Sequence, residues 1–168
     1  IRNNRYQSYE WFRHSPGNSR SLVNDQVHDV IEDSEGDLWF ATSNGISLLQ
    51  PAVGRWRSFL SRSDGIQDGG NHIFLTLCEV SPGVICAGGY ASGLYRIEKK
   101  TGRVEYFPPS FAAEGRPDQS INDIGKDSGG CIWTGCCHMP KRFDPHDGTI
   151  SLYPVPGPHA TILEMHPD

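Results

Sequence analysis

Two aspartates at equivalent positions are the first residues whose type and spacing suggest chemistry. Asp33 and Asp127 lie 94 residues apart, and each precedes a tryptophan by six residues. A pair of carboxylates can hydrolyse a glycosidic bond, but the two groups must converge within about 5–10 Å. Each aspartate is followed directly by serine, and a glycine stands three residues after each aspartate, a composition typical of turns. We therefore expect both aspartates to cap turns, and we assign no catalytic residue.

The five cysteines raise a second possibility, which is metal binding. Cys136, Cys137 and His138 are consecutive, but adjacent side chains on a strand point to opposite faces and cannot easily share one ion. The chain contains no CxxC pair, and we expect neither a metal site nor a cofactor. An odd number of cysteines leaves at least one free or paired outside this sequence. Three cysteines are expected to be small buried hydrophobes in strands: Cys78, Cys86 and Cys131.

The segments that carry these residues repeat along the chain. The segment 33–39 returns as 127–133, and the register continues without a gap for some distance beyond it. A third, degenerate copy lies between them, with Val80 at the aspartate position and Cys86 at the tryptophan position. The period is 47 or 48 residues, which indicates a stacked or circular array of equal units.

One copy of the repeat contains four short segments with strand composition, each bounded by Gly, Pro, Asn or Asp. They are 27–32, 38–42, 46–49 and 55–59. Four strands at this period predict an all-β fold of β-propeller blades, each a four-stranded antiparallel sheet. We expect about three blades with partial flanking strands. The predicted units are a tail or outer strand of a preceding blade (1–20), blades at 21–62, 63–110 (degenerate) and 111–155, and the start of another blade (156–168).

Composition excludes several functional classes. The net charge is −5 and the basic residues are scattered, so no surface is predicted for nucleic acid. No apolar run approaches the roughly 18 residues that a membrane-spanning helix needs, and no signal peptide is visible. The chain begins at Ile1 without an initiator methionine and ends in an apparent opening strand. We therefore expect it to be a piece of a longer array, stable only with its missing blades or by self-association.

The loops at one edge of the blades are the expected ligand face, because propellers commonly bind ligands there. Sugar recognition needs aromatic rings against C–H surfaces and planar polar groups that bond hydroxyls. Trp39 and Trp133 do not qualify, because their repeated position in an apolar strand predicts packing. Trp56 is expected to cover a blade edge or to join an interface. The candidate ligand-binding residues are Asn71, His72, Tyr90, Arg116, Asp118 and His138.

Two stretches carry a resemblance to a known repeat. VHDVIEDSEGDLWFATSNGISLLQP and INDIGKDSGGCIWTGCCHMPKRFDP resemble the two-component-regulator propeller repeat of the sensor regions of Bacteroides-type hybrid two-component systems. The resemblance extends from about residue 22 to residue 153. It implies two stacked seven-bladed propellers, followed in the whole protein by an immunoglobulin-like module, a membrane helix, and kinase and response-regulator domains. It also implies a periplasmic location and detection of oligosaccharides released from complex glycans.

Three functional hypotheses follow. The first is a non-enzymatic sensor segment that binds an oligosaccharide and signals to a cytoplasmic histidine kinase, with the remaining propeller blades and a second copy of the parent as partners. The second is a propeller lyase or glycosidase, which would need converging acids or a metal. The third is a purely structural or protein-interaction propeller. A pocket lined by the loop residues would favour the first hypothesis over the third.

Overall fold

The computed structural model describes residues 10–61, 72–91, 93–107, 120–135, 140–144 and 149–153. In these ranges the chain forms twelve short strands and one turn of 3-10 helix, and no α-helix. No helix in this part of the chain could therefore cross a membrane. The predicted all-β fold is confirmed.

The strands form three separate four-stranded antiparallel sheets, each in chain order. The first sheet contains β1 (Val27–Glu32), β2 (Leu38–Thr42), β3 (Gly45–Gln50) and β4 (Arg55–Phe59). The second contains β5 (Phe74–Ser81), β6 (Val84–Gly89), β7 (Leu94–Glu98) and β8 (Val104–Phe107). The third contains β9 (Asp123–Lys126), β10 (Ile132–Gly135), β11 (Lys141–Phe143) and β12 (Ile150–Leu152). The predicted blades of four strands are thus observed three times.

The sequence repeat is reproduced as a structural repeat, down to the strand register. The residue at the tryptophan position of each second strand faces the same position of the first strand. The three facing pairs are Ile31 with Trp39, Cys78 with Cys86, and Gly125 with Trp133. The degenerate middle copy therefore keeps the blade geometry although it has lost the aspartate and the tryptophan.

The sheets pack face to face in chain order. The middle strands β2 and β6 are largely buried on both faces, which suits strands that lie between neighbouring sheets. Between the first two sheets, Trp39 is fully buried and stacks on Phe59 with ring centroids 5.3 Å apart. The predicted packing role of Trp39 is confirmed. The second and third sheets share another buried cluster, formed by Cys86, Leu94, Ile121, Ile124, Ile132 and Phe143.

The far face of the first sheet is covered by the N-terminal segment. Phe12 packs against Phe40 and Trp56, with ring centroids 6.0 and 5.5 Å away, and Leu22 is buried in the same cluster. Residues 10–13 do not form a strand in this arrangement. Trp56 thus packs inward on the first sheet and shields its outer strand.

The connections between strands define two edges of this array. The turn edge carries the connections from first to second strand and from third to fourth strand, such as 33–37 and 99–102. The loop edge carries the connections from second to third strand and the segments that join consecutive blades.

Candidate functional site

The aspartate of the first blade organises its own turn at the turn edge. Asp33 Oδ1 accepts hydrogen bonds from the backbone N–H groups of Glu35 and Asp37, both at 3.0 Å. Its Oδ2 accepts from Trp39 Nε1 at 2.8 Å. The carboxylate therefore fastens the turn to the buried indole, which confirms the predicted capping role.

A lysine from the second blade enters this turn. Lys99 Nζ lies 2.6 Å from Asp33 Oδ2, 2.7 Å from Asp37 Oδ2 and 2.8 Å from Glu35 Oε2. The lysine side chain is only 5% exposed, and that of Asp33 is fully buried. One ammonium group thus joins the first sheet to the second through three carboxylates.

Charge complementarity decides the protonation states in this cluster. Burial raises the pKa of Asp33, but hydrogen bonds from Lys99, Trp39 and the turn backbone outweigh it and hold the pKa below its usual range. Burial lowers the pKa of Lys99, and the three carboxylates more than offset this, so that its pKa rises above its ordinary value. A carboxylate kept ionised and sealed from solvent is poorly suited to donate a proton. The converging acids at this edge therefore form an inter-blade clamp and not an acid–base pair.

The third blade repeats the turn but not the clamp. Asp127 Oδ1 accepts from the backbone N–H groups of Gly129 and Cys131, both at 2.9 Å, and Oδ2 accepts from Trp133 Nε1 at 2.9 Å. The indole hydrogen bond is the main cause that lowers the pKa of Asp127. Its cationic neighbour is Arg142 of the same blade, 3.4 Å away. The second sheet packs between the two aspartate turns, so the aspartates act separately.

The middle blade uses a glutamate instead. Glu79 Oε1 accepts from the Gly83 backbone N–H at 2.9 Å, as a turn cap would. Both carboxylate oxygens also accept from Ser34 of the first blade, at 2.7 Å from its N–H and 2.9 Å from its hydroxyl. The sequence repeat places Glu79 at the position of Glu32 and Lys99 in a turn, but it predicts no contact for either residue, because each acts across a sheet boundary that the period does not describe.

The loop edge is held together mainly by backbone groups. Gly45 N–H donates to the His72 carbonyl, Tyr90 N–H to the Ile73 carbonyl, and Ile121 N–H to the Gly89 carbonyl, each at 2.9 Å. These bonds connect the loops of all three blades. The Ser120 hydroxyl adds to them by accepting from Ala91 N–H at 3.3 Å.

Backbone strain collects at the loop edge. Leu60, His72 and Ala91 have φ values of 55°, 56° and 52°, and they are the non-glycine residues with positive φ within the described ranges. Each such residue costs about 1–3 kcal/mol and persists because the surrounding structure holds it. Strain of this kind often accompanies ligand sites. All three residues lie in the connections of this one edge.

The predicted ligand residues differ in their placement. Tyr90 is 57% exposed beside the strained Ala91, whereas the side chain of His72 is buried at 3% exposure. His72 contributes its carbonyl to the contact with Gly45. Asn71, Arg116, Asp118 and His138 lie outside the described residues. The structure therefore offers Tyr90 as the exposed member of the predicted set.

The turn at Asn44, which lies at the same loop edge as Tyr90, contains a buried polar atom that the sequence does not predict. Asn44 Oδ1 is buried and has no hydrogen-bond partner in the described part of the chain, although its backbone N–H donates to Thr42 Oγ1 at 3.2 Å. Buried acceptors without a partner are uncommon and call for an explanation. The sequence predicts only a turn role for Asn44, because Asn-Gly favours the backbone angles that turns require.

A groove of about 630 Å³ lies elsewhere, along the outer strand β4. It is lined by Ser19, Arg20 and residues 53–58, and none of the predicted ligand residues lines it. Arg57 in this groove donates from Nη1 to the Lys99 carbonyl at 2.6 Å, so it supports the inter-blade clamp. Across the described residues, no three His, Cys, Asp or Glu side chains are grouped as metal ligands would be.

Known proteins match this architecture. Residues 21–44 match the family model of the two component regulator propeller. The chain is similar to the extracellular domain of a hybrid two component system from B. thetaiotaomicron, with 22% identity and a TM-score of 0.69. That match covers 86% of this chain and 19% of the other.

Two structures of a second extracellular domain from B. thetaiotaomicron also match. One is described as part of a one component system, at 22% identity, a TM-score of 0.62, and coverage of 77% of this chain and 17% of the other. The other is described as part of a hybrid two component system, at 17% identity, a TM-score of 0.60, and coverage of 86% and 17%. No curated relative matches the chain significantly.

The chain spans less than a fifth of the length of each of these structures. At this level of identity the likeness establishes the fold, and the family model identifies the repeat in the first blade. The predicted resemblance is therefore confirmed: the chain is an array of propeller blades that carries a two-component-regulator propeller repeat at residues 21–44.

Proposed function

We propose that this chain is a segment of the extracytoplasmic sensor domain of a hybrid two-component signalling protein, and that its loop edge contributes to an oligosaccharide site. The observation that carries the proposal is the exposed Tyr90 ring, presented by a strained turn at the edge where the blades' loops are joined. The family model and the similar extracellular domains support the sensor class.

The chemistry of the loop edge suits a neutral sugar. An exposed tyrosine offers a flat apolar face to sugar C–H groups and a hydroxyl that donates and accepts hydrogen bonds. The buried Asn44 oxygen is an acceptor that a ligand hydroxyl can satisfy if it reaches the turn. The loop edge is connected by backbone hydrogen bonds and by the contact from Ala91 N–H to the Ser120 hydroxyl, which are bonds that do not depend on charged side chains.

The same bonds offer a route for a signal. Tyr90 is bonded through its N–H to the connection that enters the second blade, and the adjacent Ala91 is bonded to Ser120 before the third blade. A ligand that holds the Tyr90 turn therefore also restrains the connections between blades. In the whole protein, the remaining blades complete the ring in the periplasm, and a homodimer carries the change to a cytoplasmic histidine kinase.

The test is a thermal-shift screen of the intact extracytoplasmic region against purified plant and host oligosaccharides. A ligand that binds the folded state alone raises the melting temperature as its concentration increases. We expect a selective hit with the unmodified protein, a loss of at least tenfold in affinity with Tyr90→Ala, and partial retention with Tyr90→Phe. Val53→Ala is the matched control, because Val53 is an exposed apolar residue on the turn edge.

Each outcome separates the three functional hypotheses. A selective hit that is recovered unchanged and depends on Tyr90 supports the sensor proposal. A hit that is consumed during incubation replaces it with the enzyme hypothesis. A hit that is unaffected by Tyr90→Ala moves the site to other loops or blades. Silence across the panel favours the structural hypothesis.

A further inference from the structure

The middle blade places two cysteines at facing positions of adjacent strands. Cys78 of β5 and Cys86 of β6 are direct partners in the antiparallel register. Facing residues in such a pair have Cα atoms roughly 4.5–5.5 Å apart and side chains on the same face of the sheet. That separation lies within the range of about 4.4–6.8 Å that a disulfide requires.

In the other two blades, a tryptophan occupies the register position that Cys86 has in the middle blade. There, Trp39 and Trp133 donate from their indole N–H to Asp33 and Asp127, which fastens the turn to the strand. The middle blade has lost both partners of that contact, since Val80 and Cys86 replace them. The residue that faces the lost tryptophan is also a cysteine, whereas it is isoleucine or glycine in the other blades. The two cysteines thus occur together in the blade that lacks this aspartate–tryptophan hydrogen bond (the aspartate–tryptophan clasp).

The surroundings place both thiols on the side that faces the third sheet. Cys86 is fully buried in the cluster between the second and third sheets, and Cys78 packs against that cluster while remaining partly exposed. Burial raises the pKa of the Cys86 thiol to about 12, and the nearby Cys78 adds to this. Burial likewise raises the pKa of Cys78. Both are thiols in this structure, and buried thiols of this kind react slowly while the blade is folded.

We propose that Cys78 and Cys86 form a cross-strand disulfide that replaces the aspartate–tryptophan clasp in the middle blade. The oxidant is a disulfide donor, such as oxidised glutathione or a periplasmic thiol oxidase. The Cys78 thiolate attacks the donor and releases one donor thiol, and the Cys86 thiolate then attacks Cys78 and releases the second. Two cysteine thiols become one disulfide, and their two protons end on the two donor thiols.

The bond forms as the hairpin closes during folding, before the third sheet covers Cys86. Its location in an oxidising compartment rests on the proposed function, because disulfides persist outside the cytoplasm and are rare within it. The ability of the two thiols to pair depends on the register alone. The ability of the thiols to pair and the presence of the bond in the periplasm can therefore be tested separately.

The experiment uses the intact extracytoplasmic region, refolded with a mixture of reduced and oxidised glutathione and, in a second arm, recovered from a bacterial periplasm. Free thiols are alkylated in denaturant, and the chain is digested with trypsin. Cleavage after Arg62 and Arg96 places Cys78 and Cys86 in one peptide, apart from the other three cysteines. We expect this peptide to be unalkylated and about 2 Da lighter than its reduced form.

A second cleavage identifies the partners. Glu79 lies between the two cysteines, so a glutamate-specific protease yields two fragments that stay joined only through the disulfide. Cys78→Ala and Cys86→Ala should each abolish the joined product, and Cys131→Ala, the control, should retain it. The oxidised chain should also melt at a higher temperature than the reduced chain.

The two arms have distinct failures. Two alkylated thiols in this peptide after refolding in glutathione would overturn the proposal, as would a bond from either cysteine to Cys131, Cys136 or Cys137. A disulfide in glutathione but not in the periplasm would instead overturn its occurrence in that compartment. Because the unmodified chain gives these results, the test does not depend on whether the variants fold.

Discussion

The two edges of the blade array are held together by different interactions. At the turn edge, charged side chains join neighbouring blades: Lys99 reaches three carboxylates of the first blade, and Glu79 binds Ser34. At the loop edge, backbone hydrogen bonds connect the blades, and Ala91 N–H donates to the Ser120 hydroxyl. Strained residues and the exposed Tyr90 are also found there.

This difference between the two edges separates the residues that stabilise the array from those that are available for ligand recognition. Side-chain contacts at the turn edge depend on residue identity, so substitutions there carry a direct energetic cost. Backbone contacts at the loop edge survive a change of side chain, which leaves the loop residues free to suit a ligand. A protein that presents varied loops on a common frame gains from this division.

The largest effect is expected from removing the cation of the inter-blade clamp, which is the Lys99 ammonium group. Lys99→Met keeps most of the side-chain volume but leaves buried Asp33 and Asp37 without their counter-ion. Removing one partner of a buried ion pair costs about 3–5 kcal/mol, so we expect a loss of that size in the free energy of unfolding. Urea unfolding of the intact extracytoplasmic region, in which the neighbouring blades are present, measures it.

The adjacent lysine provides a matched control. Lys100 is exposed in the same turn, so Lys100→Met should change the free energy of unfolding by less than about 0.5 kcal/mol. Equal effects of the two substitutions would mean that the clamp adds nothing to stability. Side-chain contacts between blades would then contribute no more to the free energy of unfolding at the turn edge than at the loop edge.

A smaller effect is expected from crowding the backbone at the loop edge. Gly45 has φ 108°, and a Cβ there would lie 2.9 Å from the Phe59 carbonyl oxygen and 3.0 Å from that of Leu60. Gly54, at the turn edge, has φ 61° and open space around the equivalent atom. Gly54→Ala therefore reports the conformational cost alone, roughly 1–2 kcal/mol. We expect Gly45→Ala to lose about 1–3 kcal/mol more, from overpacking.

Thermal or urea unfolding of the two alanine variants tests this difference. If Gly45→Ala is no worse than Gly54→Ala, the loop-edge backbone is free to move apart. In that case the Gly45–His72 bond does not hold the blades together, and the proposed route from Tyr90 to the next blade loses its support.

The elements of this fold were predictable because their signals are local. Turn residues bound each strand, and the aspartate caps involve atoms within six residues of one another. Lys99 and Glu79 were not predictable, because their partners are 66 and 45 residues away and depend on how the sheets stack. The burial of His72 has the same origin, since a polar residue beside a strand has no local signal for its exposure.

The smallest expected effect is the loss, at acidic pH, of the clamp's contribution to the free energy of unfolding. The pKa of Asp33 is lowered in the folded chain, so its contribution to stability is present above the unfolded value of about 4 and is lost as the pH falls through the folded value. The pKa of Lys99 is raised, so its contribution is complete below about 10 and is lost only at higher pH. Stability from the clamp is therefore constant between about pH 5 and pH 9 and falls on acidification.

Asp33→Asn removes the titrating group, but its single amide oxygen can replace only one of the two accepting oxygens, so the variant is compared with Asp127→Asn, which loses the same kind of turn and indole contacts. The variant should be less stable than the unmodified chain at pH 7, and the difference should shrink towards pH 3, as urea unfolding at both values will show. Asp127→Asn should give a smaller change of the same sign, since its carboxylate is partly exposed and its cationic neighbour, Arg142, belongs to the same blade. Equal pH effects in the two variants would mean that the acid sensitivity comes from the repeated turn, with no share from the link between blades.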